Sequence, residues 1–485
     1  MPRPISTTMA RHIIQRQVLE LRLPESLTRR PVESEVEFLL THEVWPKLDA
    51  ICSRFEVAGQ TVHFDRLEIE VAAMPPAKLR SQWSREVCRQ FEADLRRRLA
   101  SLTFSPNLFG DDTAIASPEL ATSAATPERA HPTETAKLEA LNFFLRHGLL
   151  PWWWDRNKAN MERLVTELLE VATPGMRHLL RSSLLATETA TRVSAQFSSK
   201  TMRAILELLV ADPQSGRATV ALHERITRHF PLMASFHSKP AALMALEACL
   251  LSASCRLIGR SNLNESEVVA EMLKQVPPLN LELMEAALGA SPSGTKGQRA
   301  AELSDGRAVS IPPTDADLTT DTAGLVLLWP YLERFFAQLE LIKDHAFRDP
   351  ATRWRAVHLL HFLAMGEEGA PEHTLALPKV LCAVPFAEAV PFSVGLTETE
   401  KSESEQLLRA VIRNWPPLKN TSIGGFRQSF LQREGRLALP EDATPMPGWK
   451  LRVERKGHDI LLDQLPWGLY LVKLPWMPQP LYVEW

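Results

Sequence analysis

The chain has 485 residues, with 36 Pro against 20 Gly and 12 Trp against 3 Tyr, a composition that excludes Gly-rich flexible and collagen-like classes. At 45% hydrophobic and 23% charged residues it falls among globular proteins, and its length suggests two to four cores at roughly 100 to 200 residues each. A formal net charge of −3, from 55 basic and 58 acidic residues, supplies no global field for a nucleic-acid backbone or an anionic membrane, so neither partner is expected.

The first part of the chain reads as strand, helix, strand, helix. Residues 12–23 put Leu19, Leu21 and Leu23 on one face with polar residues between, the alternation of a half-buried strand, and Pro24 ends it. Val36, Leu40, Val44, Leu48, Ile51 and Phe55 then recur at helical spacing, with Pro46 placed to kink or interrupt the middle. Leu67, Ile69 and Val71 alternate with Arg66, Glu68 and Glu70 as a second strand. Pro75 and Pro76 open a helix carrying Leu79, Trp83, Val87, Phe91, Leu95 and Leu99. These elements define a small α/β domain over 10–100. Two strands are marginal alone, which predicts that another chain or a distant segment completes the sheet.

Residues 101–135, rich in Ser, Thr, Ala and Pro, read as a flexible linker. A helical domain follows over 136–288, its short helices broken by Pro and Gly as in an irregular bundle or a two-helix array, with no fixed period. A second polar stretch at 289–320 reads as another linker. The remainder, 321–485, is helical by spacing until Trp449, where alternation takes over at Leu451 and Val453, Ile460 and Leu462, Leu469 to Leu474, and Leu481 to Val483. Pro466, Pro475, Pro478 and Pro480 suit the ends and edges of three or four short strands. The fold class is therefore α+β: a small N-terminal α/β domain, a mainly helical middle, and a C-terminal helical region with a small antiparallel β-sheet.

Five cysteines, Cys52, Cys88, Cys249, Cys255 and Cys382, are an odd number spread widely, the usage of a reducing compartment. Cys249 and Cys255 lack zinc-knuckle spacing and read as small core hydrophobes. The first residues hold no apolar core of signal-peptide length, and no stretch approaches ~18 uninterrupted apolar residues, so folding in the cytoplasm is expected. The Arg96, Arg97, Arg98 run is the strongest basic patch, but it closes a helix, where cations complement the negative end of the dipole.

No catalytic constellation stands out. The lysine in the GTKG run at 294–297 lies in a polar linker and opens no strand-to-helix unit, and Gly424 and Gly425 lack the third glycine of a dinucleotide loop. His358 and His361, three apart on one helix and followed by Glu367, Glu368 and His373, come nearest to a metal site. They sit among Leu359, Leu360, Phe362 and Leu363, which favours core packing. No enzyme activity, cofactor or metal is expected.

The tryptophans carry more information. Trp152, Trp153 and Trp154 follow Pro151 and cannot all face one core, and four more, including Trp467, Trp476 and Trp485, fall between Trp449 and the last residue. Aromatics of this size favour interfaces, so these six are the candidate partner-binding residues.

Four segments together carry a resemblance: HIIQRQVLEL with FDRLEIEV, FFLRHGLLPWWW, FRDPATRWRAVHLLHFLAMGEEGAPEHTLALPKVLC, and the terminal LPWGLYLVKLPWMPQPLYVEW. In them the chain resembles the tape measure proteins of phage-tail-like contractile injection systems. The resemblance implies a structural role in which inner-tube length is set or guided during assembly. The implied partners are inner-tube, baseplate hub and terminator or cap proteins, and the implied location is the cytoplasm during assembly and then the particle itself. No catalytic residue is carried over. A cytosolic chaperone or adaptor for baseplate, tube or cargo proteins is the alternative. As a ruler the chain departs from a plain design: at ~1.5 Å per residue a fully helical chain of this size would span on the order of 700 Å, but Pro interrupts its helices and no long heptad stretch is present. Nothing in the sequence sets an oligomeric state.

Overall fold

The structure, a computed structural model, describes residues 12, 14, 17–21, 29–55, 60–64, 66–101, 129–151, 153–154, 160–210, 213–229, 241–258, 264–275, 318–418, 420–438 and 448–485. The chain divides into two compact units, residues 1–139 and 140–485.

In the first unit, α1 (Arg29–Leu39) passes through a π-helical turn at Leu40–Val44 into α2 (Trp45–Arg54). Proline has no N–H and collides with the carbonyl four residues back, so a regular α-helix would be kinked or broken at Pro46. The π turn, closed by Trp45 N–H on Leu40 O, places Pro46 in the first turn of α2 instead. Strand β1 (Gln60–His63) leads on to α3 (Pro76–Ser101), and β1 pairs antiparallel with β2 (Arg129–Pro132). Val36, Leu39 and Val44 meet Trp83, Val87 and Phe91 across the helices.

The expected α/β domain with two strands of its own takes a different form among the described residues. Gln17–Leu21 and Arg66–Met74 belong to no helix and no ladder. Leu67, Ile69 and Val71 are half-buried against the helical core while Arg66, Glu68 and Glu70 are exposed. Alternation thus reports one-sided packing, which a helix can satisfy as well as a sheet can. A distant segment does complete a small sheet, but its partner is Gln60–His63, ahead of the alternating run.

Helix α4 (Thr133–His147) contains the boundary between the units. A helical array follows in the second: α5 (Met161–Val171), α6 (Pro174–Ser183), α7 (Thr187–Gln196), α8 (Ser199–Leu209), α9 (Pro213–His229), α10 (Ala241–Arg256) and α11 (Glu265–Leu273). Short helices need their ends satisfied, and Asn160, Thr173, Ser198 and Asn264 each cap one through the side-chain oxygen.

Strand β3 (Leu318–Thr320) and a 3-10 turn at Ala323–Leu328 precede α12 (Trp329–Gln338), the hairpin β4 (Ile342–Lys343) with β5 (Ala346–Phe347), and α13 (Pro350–Met365). Then come α14 (Ala376–Leu381), α15 (Glu398–Asn414), the short α16 (Ile423–Phe426), β6 (Gly435–Ala438), β7 (Trp449–Val453), β8 (Leu471–Val472) and β9 (Leu481–Glu484). Capping boxes at Asp349 and Thr397 start α13 and α15.

The last strands form a five-stranded sheet in the order β3-β6-β7-β9-β8. Two expectations are corrected here. The sheet is mixed rather than antiparallel, because β7 and β9 run parallel, Trp449 opposite Leu481. A parallel pair needs a crossover, and the chain from Glu454 to Pro480 supplies it. Within that crossover Ile460 and Leu462 lie in a 3-10 helix at Gly457–Gln464, not in a strand, with Leu462 buried and Ile460 exposed. Leu437, Leu451 and Leu481 on the inner face join Leu332, Phe336 and Trp415 in the core, all six fully buried. Gly324 makes that packing possible, since a Cβ there would lie 1.7 Å from the Phe430 carbonyl oxygen.

Candidate partner-binding surface and a buried polar hub

The most elaborate polar arrangement in the second unit surrounds Arg192 on α7. Its Nε donates to Glu372 Oε2 at 2.9 Å, Nη1 to the Leu145 and Arg146 carbonyls at 2.7 and 3.1 Å, and Nη2 to the Phe386 and Ala387 carbonyls at 2.9 and 3.0 Å. All five guanidinium N–H groups are therefore engaged. Lys379 Nζ donates to Glu372 Oε1 at 2.5 Å and to the Glu388 carbonyl at 2.7 Å. Gln196, one turn beyond Arg192, accepts from the Glu372 backbone N–H and donates to the Val390 carbonyl. Burial alone would raise the Glu372 carboxyl, but the Arg192 and Lys379 cations outweigh it and hold it below the usual range. Burial pulls the Lys379 ammonium down. With every Arg192 donor engaged and the Glu372 carboxylate held by two cations, the hub fixes the packing of distant segments.

A second buried trio joins three helices of the array. Ser194 Oγ donates to Glu247 Oε2 at 2.6 Å, and His223 Nε2 lies 3.2 Å from Glu247 Oε1. The carboxylate sits between serine and histidine, whereas nucleophilic catalysis needs the imidazole on the hydroxyl. This geometry links helices.

The remaining sequence candidates resolve as follows. His358 and His361 are buried, His358 Nε2–H donates to the Pro391 carbonyl at 2.8 Å, and burial depresses both imidazoles to about 4. Glu368 pairs instead with Lys401 and Glu367 is exposed, so the carboxylates do not converge on the histidines. No cluster of three or more metal-ligating side chains occurs among the described residues. Arg96 pairs with Glu92, and Arg97 and Arg98 with Asp94, so each arginine of the basic run has a carboxylate partner on its own helix. Burial raises the thiols of Cys249 and Cys255 to about 11 and about 12, as befits core residues. Gly424 and Gly425 lie in the four-residue α16 behind the Ser422 cap, and the GTKG run at 294–297 lies outside the described residues.

The tryptophans divide by environment. Trp485 is buried, its Nε1–H on Asp459 Oδ2 at 3.0 Å and its ring under the Arg433 guanidinium at 5.1 Å. Trp476 is half-buried between Phe336 and Phe347, with Nε1–H on the Leu381 carbonyl at 2.8 Å. Trp467 is also half-buried and donates to the Leu327 carbonyl, and Tyr331 meets its ring edge-on at 5.3 Å. Trp329 donates back to the Gly468 carbonyl at 2.8 Å. These three rings form an aromatic shelf whose outer edges remain accessible. Tyr470 and Leu471, 67% and 51% exposed, follow it on the chain, and sequence reasoning passed over both because an alternating run does not say which face is covered. Trp153 and Trp154 are half-buried and meet edge-on at 5.8 Å, while Trp152 lies outside the described residues.

The second unit thus carries buried polar groups that join distant segments and, separately, half-buried aromatic rings at Trp467, Tyr331 and Trp329. The chain matches the family model for the contractile injection system tape measure protein over residues 11–485, and it belongs to that family. It is accordingly a structural, tape-measure component in the assembly of a contractile injection system. No curated protein matches the chain. No solved structure matches it either.

Proposed function

We propose that this protein guides growth of the inner tube from within the assembling particle, docking on tube, baseplate hub or terminator proteins through the shelf of Trp467, Tyr331 and Trp329. What supports this reading is the shelf itself: three half-buried aromatics, the two indoles held from behind by N–H bonds to the Gly468 and Leu327 carbonyls and the Tyr331 ring set edge-on to Trp467, leaving edges of the residue types that dominate interface energetics. Trp153 and Trp154 form a second candidate contact, with Trp152 beside them in the chain. Trp476 and Trp485 would act from behind by holding the last strands in place. The regions 136–288 and 321–485, read from the sequence as successive domains, are tied by the Arg192 hub.

Assembly in the cytoplasm and retention in the finished particle belong to the same proposal. Mass spectrometry of purified particles tests it. Retention at fixed stoichiometry is expected; absence from the particle would move the protein to the role of assembly chaperone or adaptor. Trp467→Ala chains that fold normally are expected to lose tube assembly, and normal assembly by them would remove the shelf as the docking surface.

A further inference from the structure

We infer that residues 140–485 work as a folded body throughout assembly, and that any length this chain imposes on a tube is read from residues 1–139. The inference rests on the tape-measure reading and adds where in the chain the measure lies.

A chain measures by span, so the parts that measure must be able to extend. The second unit resists extension in stages. Drawing the α7 region away from the segment around Glu372 would leave Glu372 and Lys379 buried without Arg192, and four carbonyls without their donor. Breaking one partner out of a buried ion pair leaves an uncompensated charge in the interior and is strongly destabilising. The edge strand β3 is held by β6, which lies more than a hundred positions further along the chain. Inner strand β7 pairs on both sides, with β6 and β9. Half-open forms thus expose buried charges and ladder edges before they gain length, so drawing out the segments that these contacts join is costly.

The first unit is built differently. Its ion pairs among the described residues, such as Arg80 with Glu35 and Arg89 with Glu86, lie at the surface, where solvent screens them and they hold little. Its core is a layer of helices with Arg66–Met74 laid along it outside any ladder. Among the described residues, separating these elements breaks the bond of buried Ser84 to Glu43 and otherwise mainly exposed ion pairs. Its 139 positions would span ~210 Å as helix or ~470 Å fully extended.

The test compares two insertions in the full chain, each of about 20 flexible residues, by electron microscopy of tube lengths. One goes into the β4–β5 turn at Asp344–His345, the other directly after Ser101. Tubes of unchanged length from the turn insertion, and longer tubes by ~30 to 70 Å from the Ser101 insertion, are expected. A length change from the turn insertion would overturn the inference, because it requires the second unit to pay out chain. Unchanged tubes from both would overturn it too, since neither region would then be read. A strain lacking the protein separates this failure from that of the parent reading: tubes of unaltered length distribution without the protein would remove the tape-measure role itself. Thermal melting of both purified chains confirms folding, and if the turn insertion does not fold, the same insertion after Gly457 in the exposed crossover replaces it.

Discussion

Arg192 and Glu372 stand 180 positions apart in the chain and meet at 2.9 Å with neither side chain exposed to solvent. Lys379 completes the group, which therefore holds two cations and one anion. Neutralising the anion should be the most damaging single change. Glu372→Gln is expected to lower stability by about 3–5 kcal/mol, because two buried cations then face each other. Lys379→Met, which leaves a balanced pair, should lose clearly less. Urea unfolding of the two variants checks the ranking, and equal midpoints would contradict it.

Gly148 lies where α4 ends, at φ +67°, and a Cβ there would fall 2.5 Å from Glu372 Oε1. Gly148→Ala therefore meets two penalties, a left-handed backbone and a collision with the hub carboxylate. A loss of about 2 kcal/mol or more is expected from backbone strain and displacement together. The drop in melting temperature should shrink when Glu372→Gln is already present, since the hub is then disturbed beforehand. Fully additive losses would separate Gly148 from the hub.

The pH dependence follows from His358 and His361. Both are held neutral in the fold, at about 4, whereas an imidazole in the unfolded chain titrates near 6.5. A depressed folded value means that the unfolded chain binds more protons between the two. Their stabilising contribution is complete above pH ~6.5 and is lost as pH falls toward 4, by about 2 kcal/mol apiece at pH 5. Arg355 faces His358 and pushes in the same direction, as do Arg192 and Arg146 at His147. His361→Leu, at a ring whose Nδ1 has no partner among the described residues, should flatten the fall in melting temperature between pH 6.5 and 5. An unaltered slope would contradict this.

Trp485 closes the C-terminal sheet region. Its indole shares Asp459 with Arg433, and those contacts, against burial that would raise the carboxyl, depress it to about 2. Trp485→Ala should cost about 3–5 kcal/mol through the cavity it leaves. Trp467→Ala removes a half-buried ring and should cost less stability while impairing tube assembly more. Calorimetry and particle counts on the same pair of variants distinguish a strut from a docking surface.

Helix positions were legible in the sequence because their periodicity is written in adjacent residues. Val36, Val44, Leu48 and Ile51 are buried as their spacing requires, and so are Trp83, Val87 and Phe91. The terminal motifs also carried the family resemblance. The inward set Leu451, Val453, Leu481 and Val483 was readable for the same local reason. Strand partners were not: Leu67, Ile69 and Val71 alternate as well as any ladder strand, yet they pack on helices.

What the sequence determined by itself is therefore one-dimensional: which faces are apolar, where helices and extended runs lie, and which family the chain resembles. The tertiary structure alone decided that β7 and β9 run parallel, that Trp485 turns inward while Trp467 and Trp476 stay half-buried, and that Arg192 meets Glu372. The physical reason is range. Periodicity records whether a side chain is covered, which neighbours in the chain reveal; the identity of what covers it depends on segments brought together only by closing the core.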